Sequence, residues 1–392
     1  MDFNRYWLVQ RKGKFISIEN IHLKFRSMAT ELPPFSCTYS PNMPELLMRL
    51  NCSIAISTYQ AGKVIFISAK NAQQLIQLPR SFKKPMGIGL QDNRMAIATR
   101  HEIVILQNTP GLGPKYPKKP DTYDALFMPR AVYYTGELDI HDLHWTAKGL
   151  LAVNTRFSCL SIINDQYSFI PVWQPNFIKS LEPTDHCHLN GLALLNDKPK
   201  YLTALGLTDA QGGWRVGKAN GGVLLDADSQ ETILQNLAMP HSPRIFGKDL
   251  FALLSATGEL IKIDVEAGRY EVVQKFNGFV RGMDRLGDYV FIGLSKLRTT
   301  SKAFGDLPIA SRSVFSGVVV VHLPSGRVEA HIKYENSVEE IFDVRVLKGM
   351  KRPGILNHYK DEHSMLITMP QGNYWAQLPD EIENNADSAD KS

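Results

Sequence analysis

The chain is short of the features that mark most specialised protein classes. It has four cysteines in 392 residues, and Cys37, Cys52, Cys159 and Cys187 form no C-x-x-C pair, which excludes a disulfide scaffold. No apolar run reaches the ~18–20 residues of a membrane helix, so no membrane partner is expected. Charge of one sign is also scarce. The 44 basic residues exceed the 39 acidic ones by too little, and too evenly, to make a nucleic-acid surface. The basic stretch 1–27 is followed by no apolar h-region, so it is not a secretory signal. With no disulfide pattern either, a cytoplasmic location is expected. Met28, opening M-A-T-E-L-P-P-F, reads as an alternative translation start. The acidic, polar stretch 380–392 is expected to be disordered. Helical periodicity is rare, and its clearest instance is residues 44–51, with Ser40-Pro41 as a start signal.

What remains is strand, repeated. A composition of 44% hydrophobic and 21% charged residues supports a sizeable core. The length fits two ordinary domains or one large barrel or propeller. Short β-rich runs recur, among them 54–56, 64–68, 95–98, 150–153, 250–254, 289–294 and 318–323. Thr257-Gly258, Ser325-Gly326 and Asp92-Asn93 punctuate them as turns. One local pattern returns, a polar pair followed by strand, turn and strand. Its markers are Gly87, Asp142, Asn190, Arg244, Arg281 and Glu340, spaced about 51 residues apart on average. A four-stranded propeller blade takes ~40–50 residues. The chain therefore reads as all-β, a single β-propeller of six blades, with seven as the alternative and a two-domain sandwich as the competing fold. An N-terminal strand within 58–68 is expected to close the ring by pairing with strands near 365–368, which removes both sheet edges. The domain reading is an extension over 1–45, the propeller over 46–379 and the tail over 380–392. No G-H…W-D signature is present.

In a propeller the first strand of each blade lines the central channel. The strand starts here carry His141, Asp142, His144, His188, Asn190, His241, Ser242, Arg244, Arg281, Glu339, Glu340 and Asp343. Packing alone would place Val, Ile or Leu there, so these residues point to a shared polar pocket. His141, His188 and His241 come from successive markers. Three neutral imidazoles on one axis could hold a single divalent metal ion, or act as general bases or hydrogen-bonding groups. His186 and His188 flank Cys187 as a second, local clamp or as loop histidines. In V-E-E-I-F-D-V (338–344), strand alternation puts Glu339 and Asp343 on one face, with Glu339 as a base or as a brace to Arg281. Arg244 and Arg281 suit an anion or neutralise Asp142 and Glu339. Ser295-Lys296 offers a nucleophile pair, or a solvated lysine. Trp214, in a Gly-rich loop, is expected at a binding rim or in the packing. The proline-rich stretch 108–129 is expected as an extended surface excursion.

Long runs carry a resemblance: T-G-E-L-D-I-H-D-L-H-W (135–145), C-H-L-N-G-L-A-L (187–194), M-P-H-S-P-R (239–244), G-L-S-K-L-R (293–298) and V-E-E-I-F-D-V. Across residues 46–378 the chain resembles a family of bacterial conserved hypothetical proteins. Its domain has no assigned function, and relatives are sometimes fused to tetratricopeptide-repeat or sulfotransferase regions. The resemblance places His141, Asp142, His188, Asn190, His241 and Arg244 on motif positions, while His144 and His186 depart from it. A fainter, fold-level similarity to gluconolactonase-type six-bladed propellers implies carboxylate and Asn ligands around a divalent cation at the channel.

Two functions stay open. One is a metal-assisted hydrolase or lyase acting on a small anionic, sugar- or lactone-like substrate. It would use His141, Asp142, His188, His241 and Glu339 for chemistry, and Asn190, Arg244, Arg281 and Trp214 for binding. The other is a non-catalytic propeller that binds a protein partner and uses its polar channel only structurally.

Overall fold

The computed structural model describes residues 32–109, 111–297 and 304–376. Six antiparallel sheets radiate from one axis as a six-bladed β-propeller. The inner strands are Ile88–Gln91, Ile140–Thr146, Leu189–Leu195, Pro240–Phe246, Phe279–Leu286 and Asp343–Lys348. Every sequence marker falls on one of these strands or within three residues of its start. The turn dipeptides also behave as their chemistry requires. Gly258 and Gly326 have φ of 75° and 67°, and Asp92 has φ of 49°, the left-handed conformation that these residues tolerate best.

The ring closes with strands from both ends of the chain. Asp343–Lys348 is the inner strand of a blade whose other three strands are Cys52–Thr58, Lys63–Ala69 and Leu75–Ser81, in the register Ser57↔Asp343 to Cys52↔Lys348. Closure by an N-terminal strand therefore holds, but its partner is not the one expected. Leu366–Met369 instead forms a separate hairpin with Gly372–Trp375. Two short strands add fifth members to blades. Cys37–Tyr39 pairs with the outer strand Arg327–Tyr334, and Pro353–Ile355 pairs in parallel with Ala125–Tyr134. The one α-helix among the described residues, Met43–Arg49, buries Met43, Leu46 and Leu47 at the closing seam. Residues 1–31 and 377–392 lie outside the described residues, and with them the alternative start at Met28 and the acidic tail.

The core lies between blades. Ile54, Ile65, Phe291 and Ile332 pack at the seam, and Ala55, Phe66, Ile97 and Phe127 pack on the other face of the same blade. Alternation along strands sorts side chains between these two layers. Where neighbouring inner strands touch, some positions have no room for a side chain. A Cβ on Gly282 (φ 73°) would lie 2.6 Å from the Cα of Asp343, and one on Gly87 would lie 2.9 Å from the carbonyl oxygen of His141. The 108–129 stretch runs over the surface, with residues 117–121 exposed, but it is anchored. Its Leu112, Tyr116 and Tyr123 are buried with Leu356 and Leu366, and the Tyr116 ring lies 5.5 Å from that of Trp375. The aromatic residues among its prolines fasten it to the C-terminal hairpin.

Candidate functional site

The inner strands begin at a common mouth, which holds a cavity of about 250 Å³ lined by His141, His188, His241, Arg281, Asp139 and Glu340 among others. Two of the histidines are built alike. His141 is second in its strand and so is His241. The residue two before each, Asp139 and Met239, has a positive φ of 55° and 53°. Its carbonyl lies 2.9 Å and 3.0 Å from the imidazole Nδ1. A hydroxyl in the second strand region, Thr155 or Ser255, lies 2.8 Å and 2.9 Å from the same nitrogen. That hydroxyl donates its own proton to the next blade, to the Leu189 carbonyl at 2.5 Å or the Val280 carbonyl at 2.6 Å. It can then only accept from the ring, so Nδ1 carries the proton and Nε2 is left as an acceptor. Both rings are held neutral. Burial pushes the His141 pKa down to about 3, against the opposing pull of Asp139 and with help from Arg281. Burial and then Arg281 take His241 well below the usual range.

His188 is held differently. Its Nδ1 lies 3.0 Å and 3.1 Å from the two carboxylate oxygens of Asp185. Both residues have φ of 52°, the left-handed conformation that Asp and His adopt more readily than most side chains. Asp185 is fixed in turn by the Trp214 indole, which donates at 2.9 Å, and by Arg215 at 3.7 Å. The Trp214 ring backs His188 with centroids 4.3 Å apart. Trp214 is thus a buried wall behind a histidine. It does not line the cavity as a binding rim would, because its indole N–H is engaged inward.

Arg281 supplies positive charge. Its guanidinium sits 3.5 Å from the centre of the Phe342 ring and 3.7 Å from Glu340 Oε1. Burial lowers the Arg281 pKa despite Glu340. Burial raises the Glu340 pKa despite Arg281 and the Gln60 amide that donates to it at 3.0 Å. Burial would raise Asp139 as well, but His141, His188 and Arg281 hold it below the usual range. Tyr59, Met239, Phe279 and Phe304 give the cavity its apolar walls, and Lys296 a second cation.

Beneath the mouth the channel is closed by an ionic knot. Asp142 takes Arg244 at 2.7 Å and 3.1 Å and Arg345 at 3.0 Å. Arg345 also lies 3.1 Å from Asp343, which accepts the Ile88 amide at 2.9 Å. Arg244 donates to the Leu192 carbonyl at 2.9 Å and Arg345 to the Ile88 carbonyl at 2.6 Å. His144 Nε2 lies 3.2 Å from Asp142 and faces the opposite mouth. Five blades meet in this one cluster.

The expected site residues therefore divide. His141, His188, His241 and Arg281 share the mouth. Asp142 and Arg244 are consumed in the knot, as neutralising partners and not as base and anion clamp. Asn190 is buried, with its Oδ1 taken by Thr203 at 2.7 Å and its amide nitrogen unpartnered among the described residues. Glu339 is exposed and Glu340 occupies the cavity, because the strand starts only at Asp343 and alternation does not reach back to residue 338. His186 pairs with Asp209 at 2.9 Å, so it forms no clamp with His188. The Ser295 hydroxyl donates to the Ile341 carbonyl at 3.2 Å and makes no hydrogen bond to Lys296. Among the described residues no three His, Cys, Asp or Glu side chains are arranged to hold a metal ion. The His141 and His188 rings meet edge to face, 4.8 Å apart and inclined at 79°, so they pack on one another. The metal expectation for His141, His188 and His241, and the carboxylate–Asn cation site implied by the fold-level similarity, find no ligand set in this geometry. Asp139 and Asp185 were missed. The signal that reveals them is Asp two or three residues ahead of a marker histidine, as in D-I-H and D-H-C-H.

A propeller with a buried polar mouth is the class that this fold and site define. Residues 41–356 match the family described as "Domain of unknown function (DUF4915)", and the chain belongs to that family. Among solved structures, the chain is similar in fold to one titled "Crystal structure of Nidogen/Laminin Complex". The TM-score is 0.50 at 9% identity, with 76% of this chain and 99% of that one covered. No curated protein matches the chain. No helix among the described residues is long and apolar enough to cross a membrane.

Proposed function

We propose that the mouth binds a small hydroxylated anion of the sugar-acid or lactone kind and hydrolyses its lactone or ester bond. The carrying observation is the Asp185–His188 pair: a carboxylate fixes Nδ1–H and leaves the opposite ring edge to the cavity that Arg281 shares. His188 Nε2 takes a proton from water as the water oxygen bonds to the acyl carbon. The carbonyl electron pair moves to its oxygen, beside Arg281. When the ester C–O bond breaks, the leaving oxygen recovers the proton from His188, giving a hydroxy acid. His141 and His241, neutral with acceptor nitrogens, suit hydroxyl groups. Phe279 suits a ring face.

The test is hydrolysis of δ-gluconolactone and related lactones in a pH-stat, with gluconate binding by calorimetry and metal analysis of the purified protein. His188→Ala is expected to lower turnover about 100-fold or more while melting stays within a few degrees. Arg281→Met is expected to weaken gluconate binding about tenfold or more. Absence of both turnover and binding across the panel sinks the reading. Stoichiometric metal would replace general-base chemistry with metal-assisted chemistry. The partner-binding alternative draws on the ion-paired knot below the mouth, and capture of a partner by a protein inert to every lactone would favour it.

A further inference from the structure

On the opposite side of the closing blade lies a hollow that the mouth does not explain. Its volume is about 310 Å³, at the small end of ligand pockets, and it is lined by Leu47, Met48, Cys52, Ala69, Lys70, Lys351 and Arg352. The floor is apolar. Leu47 and Cys52 are buried, and burial pushes the Cys52 thiol up to about 12, so it is an inert apolar surface at neutral pH. Met48 is 54% exposed at the lip, a flexible side chain that conforms to an apolar guest. The rim is wholly basic, and no ion pair engages the Lys70, Lys351 or Arg352 side chains among the described residues.

The rim is also built in place. The Asp124 carboxylate accepts the backbone amides of Lys351 at 2.6 Å and Arg352 at 2.9 Å. On the other side the buried Ser53 hydroxyl donates to the Met350 carbonyl at 2.9 Å. Asp124 thus fixes the backbone beneath two of the cations and leaves their side chains to face a guest. An apolar floor under three unpaired cations is complementary to one chemistry, an aliphatic chain ending in an anion.

We propose that this hollow binds a single-chain aliphatic carboxylate, a medium-chain fatty-acid anion, with the chain over Leu47, Met48 and Ala69 and the carboxylate between Lys70, Lys351 and Arg352. The full chain is titrated calorimetrically with decanoate, decanol and acetate below their self-association limits. Decanoate should bind, and acetate should not. Decanol should bind at least about tenfold more weakly than decanoate, and raising the salt should weaken decanoate but not decanol. Lys351→Glu combined with Arg352→Glu should weaken decanoate roughly tenfold. Met48→Asp, at an exposed position, should do the same, with unchanged melting curves showing that both variants fold. His188→Ala should leave decanoate binding intact, which separates this site from the mouth. No decanoate binding, equal binding of decanol, or indifference to both sets of substitutions would overturn the proposal.

Discussion

Arg345 and Arg281 lie on the same axis, one in the knot and one in the mouth, and the protein treats them in opposite ways. Burial would lower the Arg345 pKa, but Asp343 and Asp142 raise it above the usual value. Burial lowers the Arg281 pKa, and Glu340 does not restore it. Asp142 and Glu340 divide in the same way, although Asp343 in the knot is raised by burial and Asp139 in the mouth is held low. Asp142 is held well below its usual range by Arg244, His144 and Arg345, against burial, whereas burial raises Glu340. In the knot every charge meets an opposite charge at hydrogen-bonding distance. In the mouth the one ion pair of Arg281 among the described residues is 3.7 Å long. Buried charges that the fold leaves under-compensated mark a place where something else completes the pairing. The knot holds the blades together, and the mouth is kept ready for a guest.

The largest effect should come from breaking the knot. Asp142→Asn removes the carboxylate that two buried arginines share and leaves both charges short of a partner. A loss of about 3–5 kcal/mol in chemical denaturation is expected. Arg281→Met in the mouth should cost far less, because its pair is long. Equal losses for the two would erase the distinction between the halves.

Acid should separate the halves next. The His141 pKa is about 3 folded against 6.5 unfolded. A group depressed in this way contributes stability that is present above pH 6.5 and lost as pH falls toward 3. Between pH 6.5 and 5 the loss is about 2 kcal/mol for His141, with His241 acting in the same direction. Asp343, raised to about 6 by burial, works oppositely: its contribution is present at low pH and fades as pH rises through that value. Denaturant unfolding at pH 7.5, 6 and 5 should therefore show a shallower acid decline for His141→Gln than for the unaltered protein. An unchanged slope would mean that the ring is not held neutral.

Much of this was legible in the sequence, and the limits were geometric. The six markers found the inner strands because only axial positions combine glycine or polar residues with strand onset, as at Gly87, Arg281-Gly282 and His141-Asp142. The phase within a strand was not legible at Glu339 and Glu340, since alternation holds only after the strand begins and Asp343 is where it begins. Adjacent residues on a strand, such as His141 and Asp142, were read as one site, yet their side chains serve the mouth and the knot separately. Ring orientation was not legible at all. Three histidines at successive markers look the same whether or not they assemble into a ligand set, and among the described residues they do not.

The smallest effect concerns the straps that carry the two like-built histidines. Thr155 and Ser255 each bridge an imidazole Nδ1–H to a carbonyl of the neighbouring blade. Thr155→Val deletes both hydrogen bonds of the hydroxyl, but His141 keeps the Asp139 carbonyl as an acceptor, so the Leu189 carbonyl is the group left short. About 1 kcal/mol should be lost. Ser255→Ala should cost about the same through Val280, since its geometry repeats that of Thr155. The two sites share no partner, so the double variant should lose the sum of the single losses to within a few tenths of a kcal/mol. Because Nδ1–H stays anchored in both variants, ligand uptake at the mouth should barely change. Coupling well above that range, or uptake that falls with the straps, would mean that the mouth depends on blade-to-blade strapping, and the separation between the holding half and the binding half would no longer stand.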